Sequence, residues 1–126
     1  MKVRIEKVDW DLSEEIREGT VTFSIADKNF YAFSCCSDYK VGEIIEVELS
    51  QIEAGFDWEE TFSRNNQKKK CLINIGNWSY DGYGQIISIN PVVVNFGCFP
   101  LELGDWTNDK RVIGEYIFWK IDRLDI

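Results

Sequence analysis

The chain has 126 residues and a net charge of −8, from 14 Lys and Arg against 22 Asp and Glu; 44% of its residues are hydrophobic and 14% aromatic. This length makes one domain, able to bury a core without metal or disulfide staples. The charge opposes a phosphate backbone, and the complete lack of histidine removes Ser-His-Asp and Cys-His catalysis, histidine acid–base chemistry and most zinc or iron sites.

The opening stretch MKVRIEKVDW alternates Val3 and Ile5 with charges and predicts a first strand. Its charges interrupt any apolar leader, and no run approaches the length of a membrane span, so a cytosolic location is expected. In DLSEEIREG, Asp11 reads as an N-cap with Glu14 three residues on and Gly19 as a stop, predicting a helical turn over 11–18. Val21, Phe23 and Ile25 then share one face of a strand, Asp27-Lys28-Asn29 reads as a hairpin turn, and a partner strand runs from Phe30 to Cys35. After Gly42, a further strand carries Ile45, Val47 and Leu49 against Glu46 and Glu48. DWEETFSRNN repeats the capping arithmetic with Asp57 and Glu60, for a second helical turn over 57–64.

Strands resume with Cys71, Ile73 and Ile75 on one face, then Gln85, Ile87 and Ile89, then Val92, Val94, Phe96 and Cys98, with Pro91 marking a bend or edge. The polar loop GDWTNDK leads to the last strand, where Ile113, Ile117, Trp119 and Ile121 alternate with Tyr116, Phe118 and Lys120. The fold class is therefore all-β: a small antiparallel barrel or strongly bent, nearly closed sheet of 7–8 strands with one or two short helical turns, over a single domain 1–126. The pattern is analogous to the oligonucleotide/oligosaccharide-binding (OB) barrel, with more strands; a β-sandwich is the alternative.

Catalytic and ligand-binding signatures are sparse. No GxGxxG, P-loop or nucleophile-elbow sequence is present, and no cofactor or metal is expected. Asp105, Asn108 and Asp109 offer oxygen ligands but match no complete calcium loop and read as a hydrogen-bonded turn. The four cysteines have no CxxC spacing. They are expected to be reduced, mostly buried and inert, with strand alternation sending one of Cys35 and Cys36 inward and the other outward.

Three surfaces remain as binding candidates. In NWSYDGYGQ, Asp81-Gly82 is a turn signal that sets Trp78, Tyr80 and Tyr83 as an aromatic rim. Just upstream, RNNQKKK supplies a basic loop of Arg64, Lys68, Lys69 and Lys70. The last strand is apolar on both faces, so it needs a cover: the short helical turns, the N-terminal strand or another subunit. Uncovered, Tyr116, Phe118 and Trp119 would form an interface and an oligomer. Residues 1–63 carry 6 basic and 15 acidic side chains, and residues 64–126 carry 8 and 7. An acidic half with exposed aromatics points to a non-enzymatic module that binds a basic protein, of an immunity or regulatory type. Single-stranded nucleic acid or an oligosaccharide on the aromatic rim is the alternative, and a carboxylate-dependent hydrolase the third reading.

Overall fold

In a computed structural model of the chain, which describes residues 1–11 and 17–126, the alternating segments become ten strands. They are β1 Lys2–Trp10, β2 Glu18–Ile25, β3 Lys28–Cys35, β4 Ile44–Glu46, β5 Ser50–Glu53, β6 Cys71–Gly76, β7 Ser79–Ser88, β8 Val92–Asn95, β9 Pro100–Gly104 and β10 Tyr116–Asp125. One α-helix, α1, spans Trp58–Ser63, and a 3-10 helix spans Lys110–Val112. Asp57 caps α1 as expected, its carboxylate accepting from the Glu60 amide at 3.2 Å. The helical turn expected over 11–18 has its middle, 12–16, outside the described residues. Its flanks belong to a β1–β2 hairpin, in which the Asp11 amide donates to the Glu18 carbonyl at 2.8 Å. Gly19 is a strand residue opposite Trp10, where a Cβ would collide with the Asp9 carbonyl.

All ten strands belong to one sheet, whose main path runs β4-β1-β2-β3-β10-β7-β8-β9, with β5 added to β10 and β6 to β7. The path has two ends, so the closed barrel is not formed. The sheet nonetheless curls over one core: Phe23 of β2 and Phe30 of β3 pack on Phe99 beside β9, with ring centroids 6.4 and 5.1 Å apart. Val3, Ile5, Val21, Val92, Val94, Ile117, Trp119 and Ile121 complete much of this core from their expected faces.

The strand number exceeds the expected 7–8 because one expected strand breaks in two and β9 forms where no strand was expected. Along 42–51, β4 pairs with β1 while β5 pairs with β10, so the chain changes partner near Val47. Along 92–104, a turn at Gly97 (φ +90°) separates β8 from β9; a Cβ there would lie 2.8 Å from the Lys70 carbonyl oxygen. Other expectations shift by a residue. The β2–β3 turn sits at Ala26-Asp27, both with positive φ. A bulge in β7 buries Ile86 and leaves Ile87 exposed. In the edge strand β6 the phase is inverted. Leu72 packs on the core, while Ile73 and Ile75 are 48% and 58% exposed. Nor are the thiols mostly buried: Cys35 and Cys36 are exposed, Cys71 and Cys98 half-buried. Among the described residues, no helix is long and apolar enough to cross a membrane.

The two halves of the sheet meet along a thin seam. Strands β3 and β10 share one parallel rung, Phe33 with Asp125, extended by the Ile126 amide donating to the Phe33 carbonyl at 3.0 Å. Tyr80 closes the gap beside it. Its hydroxyl accepts from the Tyr31 amide at 2.7 Å and donates to the Tyr31 carbonyl at 3.0 Å, satisfying a stretch of β3 edge. Burial pushes the Tyr80 hydroxyl up to about 12. An unfolded chain releases that proton near pH 10, so between roughly pH 10 and 12 each unit favours unfolding by about 1.4 kcal/mol. Tyr80→Phe is expected to cost about 1–2 kcal/mol at neutral pH. Urea denaturation at pH 7 and pH 11 checks both statements: the wild-type advantage shrinks at the higher pH, and a constant difference would contradict it.

Candidate functional site

The largest aromatic assembly lies where α1 meets β10. Trp58 and Phe62 are four residues apart and share a helix face. Phe56 enters from the preceding loop, Trp106 from the loop after β9 and Trp119 from β10. Trp119 is 2% exposed and stacks on Trp106, with centroids 5.6 Å apart and rings tilted by 21°. Phe56 touches Trp106, Trp119 and Trp58 at 5.0, 5.4 and 5.8 Å, and Trp58 lies 5.7 Å from Trp106. The assembly grades from core to solvent: Phe56 is 39% and Trp58 50% exposed. The Trp106 Nε1–H is buried with no acceptor among the described residues.

Acids border this exposed end. Asp57 and Glu59 flank Trp58, Asp105 precedes Trp106, and all three are exposed. Asp109 and Glu115 line a shallow depression together with Trp58 and Phe62. Arg111 grips Asp109 with two parallel bonds of 2.9 Å, holding that carboxyl below the usual range. Asp109 also caps the 3-10 helix, in keeping with the hydrogen-bonded turn expected for GDWTNDK. A partly exposed Trp over a packed aromatic base, bordered by carboxylates, can hold a cationic or apolar side chain. Sequence reading missed Phe56, Trp58 and Trp106 as a site. Their local signal is the 56-58-62 aromatic spacing and a lone Trp in a polar loop.

The basic loop meets other rings on another part of the surface. Arg64 sits over Phe118 at 4.0 Å, Lys69 over Tyr83 at 5.6 Å, and Lys68 and Lys70 over Tyr116 at 5.9 and 6.0 Å. Buried Asn65 anchors this loop. Its Oδ1 accepts from the Lys69 amide at 2.8 Å, and its Nδ2 donates to the Lys69 and Ile117 carbonyls at 3.0 and 3.1 Å. The four predicted cations are thus brought together with Tyr83, Tyr116 and Phe118, Arg64 in close contact and the lysines at the outer reach of a cation–ring interaction.

The predicted aromatic rim does not assemble. Asp81-Gly82 is no turn but the interior of β7, because the Phe96 ring lies where a Gly82 side chain would be, 2.7 Å from its Cβ position. The hairpin turns instead at Asn77-Trp78, where Asn74 Nδ2 donates to the Asn77 and Ser79 carbonyls. Tyr80 is 2% exposed. Trp78 is half-buried in the seam: its Nε1 donates to Thr20 Oγ1 at 2.9 Å and its ring meets Phe33 edge-on at 5.1 Å. Tyr83 is half-buried as well, but against Phe118. The predicted interface is likewise covered from within the chain. Phe118 lies beneath Arg64 and Tyr83, Trp119 beneath Phe56 and Trp106, and Tyr116 is half-buried near Lys68 and Lys70.

A cavity of about 250 Å³ opens between the β2–β3 and β8–β9 turns, walled by Ile25, Phe30, Leu72 and Phe96 with Lys28 and Lys70 among its lining residues. It falls just below the usual size of a drug-sized ligand site. Comparison with protein-family models, curated proteins and solved structures finds no match to this chain.

Proposed function

We propose that this domain is a non-enzymatic cytosolic binding module whose partner is a basic protein, in the manner of an immunity or regulatory protein that masks a toxin or nuclease. The observation that carries the reading is half-exposed Trp58, set with Phe56 on half-buried Trp106 and buried Trp119 among exposed carboxylates. Trp is enriched among interface anchors, and the rings behind it fix its rotamer before the partner arrives. The surrounding acids steer a cationic partner and disfavour an acidic one. Lys120 and Arg64 both reach Glu60, at 3.3 and 3.8 Å, which leaves Asp57, Glu59 and Asp105 to form the acidic border.

The second reading is single-strand nucleic-acid or oligosaccharide binding on the curled sheet, taken as an OB-like barrel that stops short of closure. Lys68, Lys69 and Lys70 over Tyr83 and Tyr116 favour it. Against it, those ammonium groups stand over the rings at 5.6–6.0 Å from their centroids, so a stacking base has to move them aside. The net charge of −8 adds repulsion.

Capture from native lysate, with and without nuclease, separates the two readings. Trp58→Ala is expected to lower retention of a nuclease-resistant basic protein about thirtyfold, as for a hot-spot anchor worth about 2 kcal/mol. The same change costs the fold about 1 kcal/mol, because Trp58 is half exposed. Joint replacement of Lys68, Lys69 and Lys70 by Ala leaves that retention unchanged. Retention of nucleic acid that is lost with the lysines and kept with Trp58→Ala would replace the first reading by the second.

A further inference from the structure

Strand β3 ends at Cys35, the last rung opposite Glu18. The next residue, Cys36, has φ +64°, and its amide donates to the Arg17 carbonyl at 3.0 Å. That left-handed step ends the strand alternation, which would have sent the two side chains to opposite faces. Ser34 and Ser37 close the same bend through a 2.5 Å hydrogen bond between their hydroxyls. Both thiols emerge exposed, with their sulfurs 2.9 Å apart. A disulfide requires about 0.9 Å of further approach.

We propose that Cys35 and Cys36 are a reversible two-electron redox site, closing to a disulfide between adjacent residues when they meet a disulfide oxidant such as oxidised glutathione. One thiolate attacks a glutathione sulfur, breaking that S–S bond and expelling one glutathione thiolate. The neighbouring thiol then loses its proton and attacks the protein-side sulfur of the mixed disulfide, expelling the second glutathione. Two protein thiols lose two electrons and two protons, and one oxidised glutathione becomes two reduced ones. The resulting ring is strained. Adjacent Cα atoms lie about 3.8 Å apart across a trans peptide, whereas ordinary disulfides span roughly 4.4–6.8 Å. Strain raises the potential, so the bond is of the labile kind that reduced glutathione reopens. The contact with Cys36 holds the Cys35 thiol above its ordinary value, so attack by Cys35 accelerates as the solution is made more alkaline.

The test is peptide mapping of the full chain after treatment with oxidised glutathione and alkylation of the remaining thiols. The expected product is a monomer whose 35–36 peptide has lost the mass of two hydrogens, with Cys71 and Cys98 alkylated, and which reduced glutathione restores. Cys35→Ser and Cys36→Ser each stop at a single glutathione adduct. A wild-type chain that also stops at the adduct, pairs Cys71 with Cys98, forms disulfide-linked dimers or does not react would overturn the proposal.

Discussion

Replacing Gly84 by alanine is expected to cost the fold about 3 kcal/mol, the upper end for overpacking of a close-packed interior. The added Cβ would stand 2.6 Å from the Asn95 carbonyl oxygen, 2.6 Å from Val94 Cγ1 and 3.0 Å from the Phe96 ring. A backbone oxygen cannot swing aside as a side chain can. It belongs to the β7–β8 ladder, in which Gln85 faces Asn95 and Ile86 faces Val94. On the other side β7 is held by β10, with Gly84 opposite Ile117. Relief therefore means parting two strands. Gly42 makes the useful contrast, since its Cβ position is open and only its φ of +90° opposes a side chain. Gly42→Ala should cost about 1–2 kcal/mol through backbone strain alone. Urea midpoints for the two variants, compared at equal slope, decide the matter. A Gly84 variant no weaker than the Gly42 variant would mean that β7 and β8 are less closely packed than described.

The glycines of β7 also explain why part of the fold was legible and part was not. Period-two alternation located Val21 and Phe23, Val92 and Val94, and Ile117, Trp119 and Ile121 on the core face, because strand geometry leaves a direct mark on sequence. Capping of α1 by Asp57 was legible for the same reason, being local. Asp81-Gly82 misled because a glycine needed for a turn and one needed for close approach look alike in sequence. Only Phe96, fourteen residues on, distinguishes them. The β4–β5 break was hidden because alternation continues through Ile45, Val47 and Leu49 while the pairing partner changes from β1 to β10. Partner choice is a tertiary fact with no local signature.

The candidate site was harder still. Sequence grouped aromatics by proximity along the chain, which put Trp78 and Tyr80 beside Tyr83. The fold assigns the first two to the seam, where Tyr80 satisfies both polar groups of Tyr31 and Trp78 bonds Thr20. The rings that do cluster come from positions 56, 58, 62, 106 and 119, brought together only once β10 is paired and α1 is laid against it. The basic loop was legible by composition, but not its resting place. Asn65, read from sequence only as the end of the helical turn, sets that by bonding Lys69 and Ile117.

Trp119→Ala is expected to have the largest effect of any single side-chain truncation, about 3–5 kcal/mol, the range for removing a large buried aromatic. Trp119 joins three parts of the molecule. Its ring is in the sheet core, its indole N–H donates to Gln51 Oε1 of β5 at 3.1 Å, and its face stacks on Trp106. Truncation leaves Gln51 without its bond and Phe56 and Trp106 without their support. The exposed end of the cluster should then lose its fixed geometry, so partner retention falls even in molecules that stay folded. Trp119→Phe separates the contributions: it keeps most of the apolar volume and loses the hydrogen bond, for an expected cost of about 1–2 kcal/mol. Denaturation midpoints give the stabilities, and capture at a temperature where both variants are folded gives the binding. If Trp119→Ala weakened the fold but bound as wild type, Trp58 would not depend on the rings beneath it, and the anchor would have to be sought elsewhere on the acidic surface.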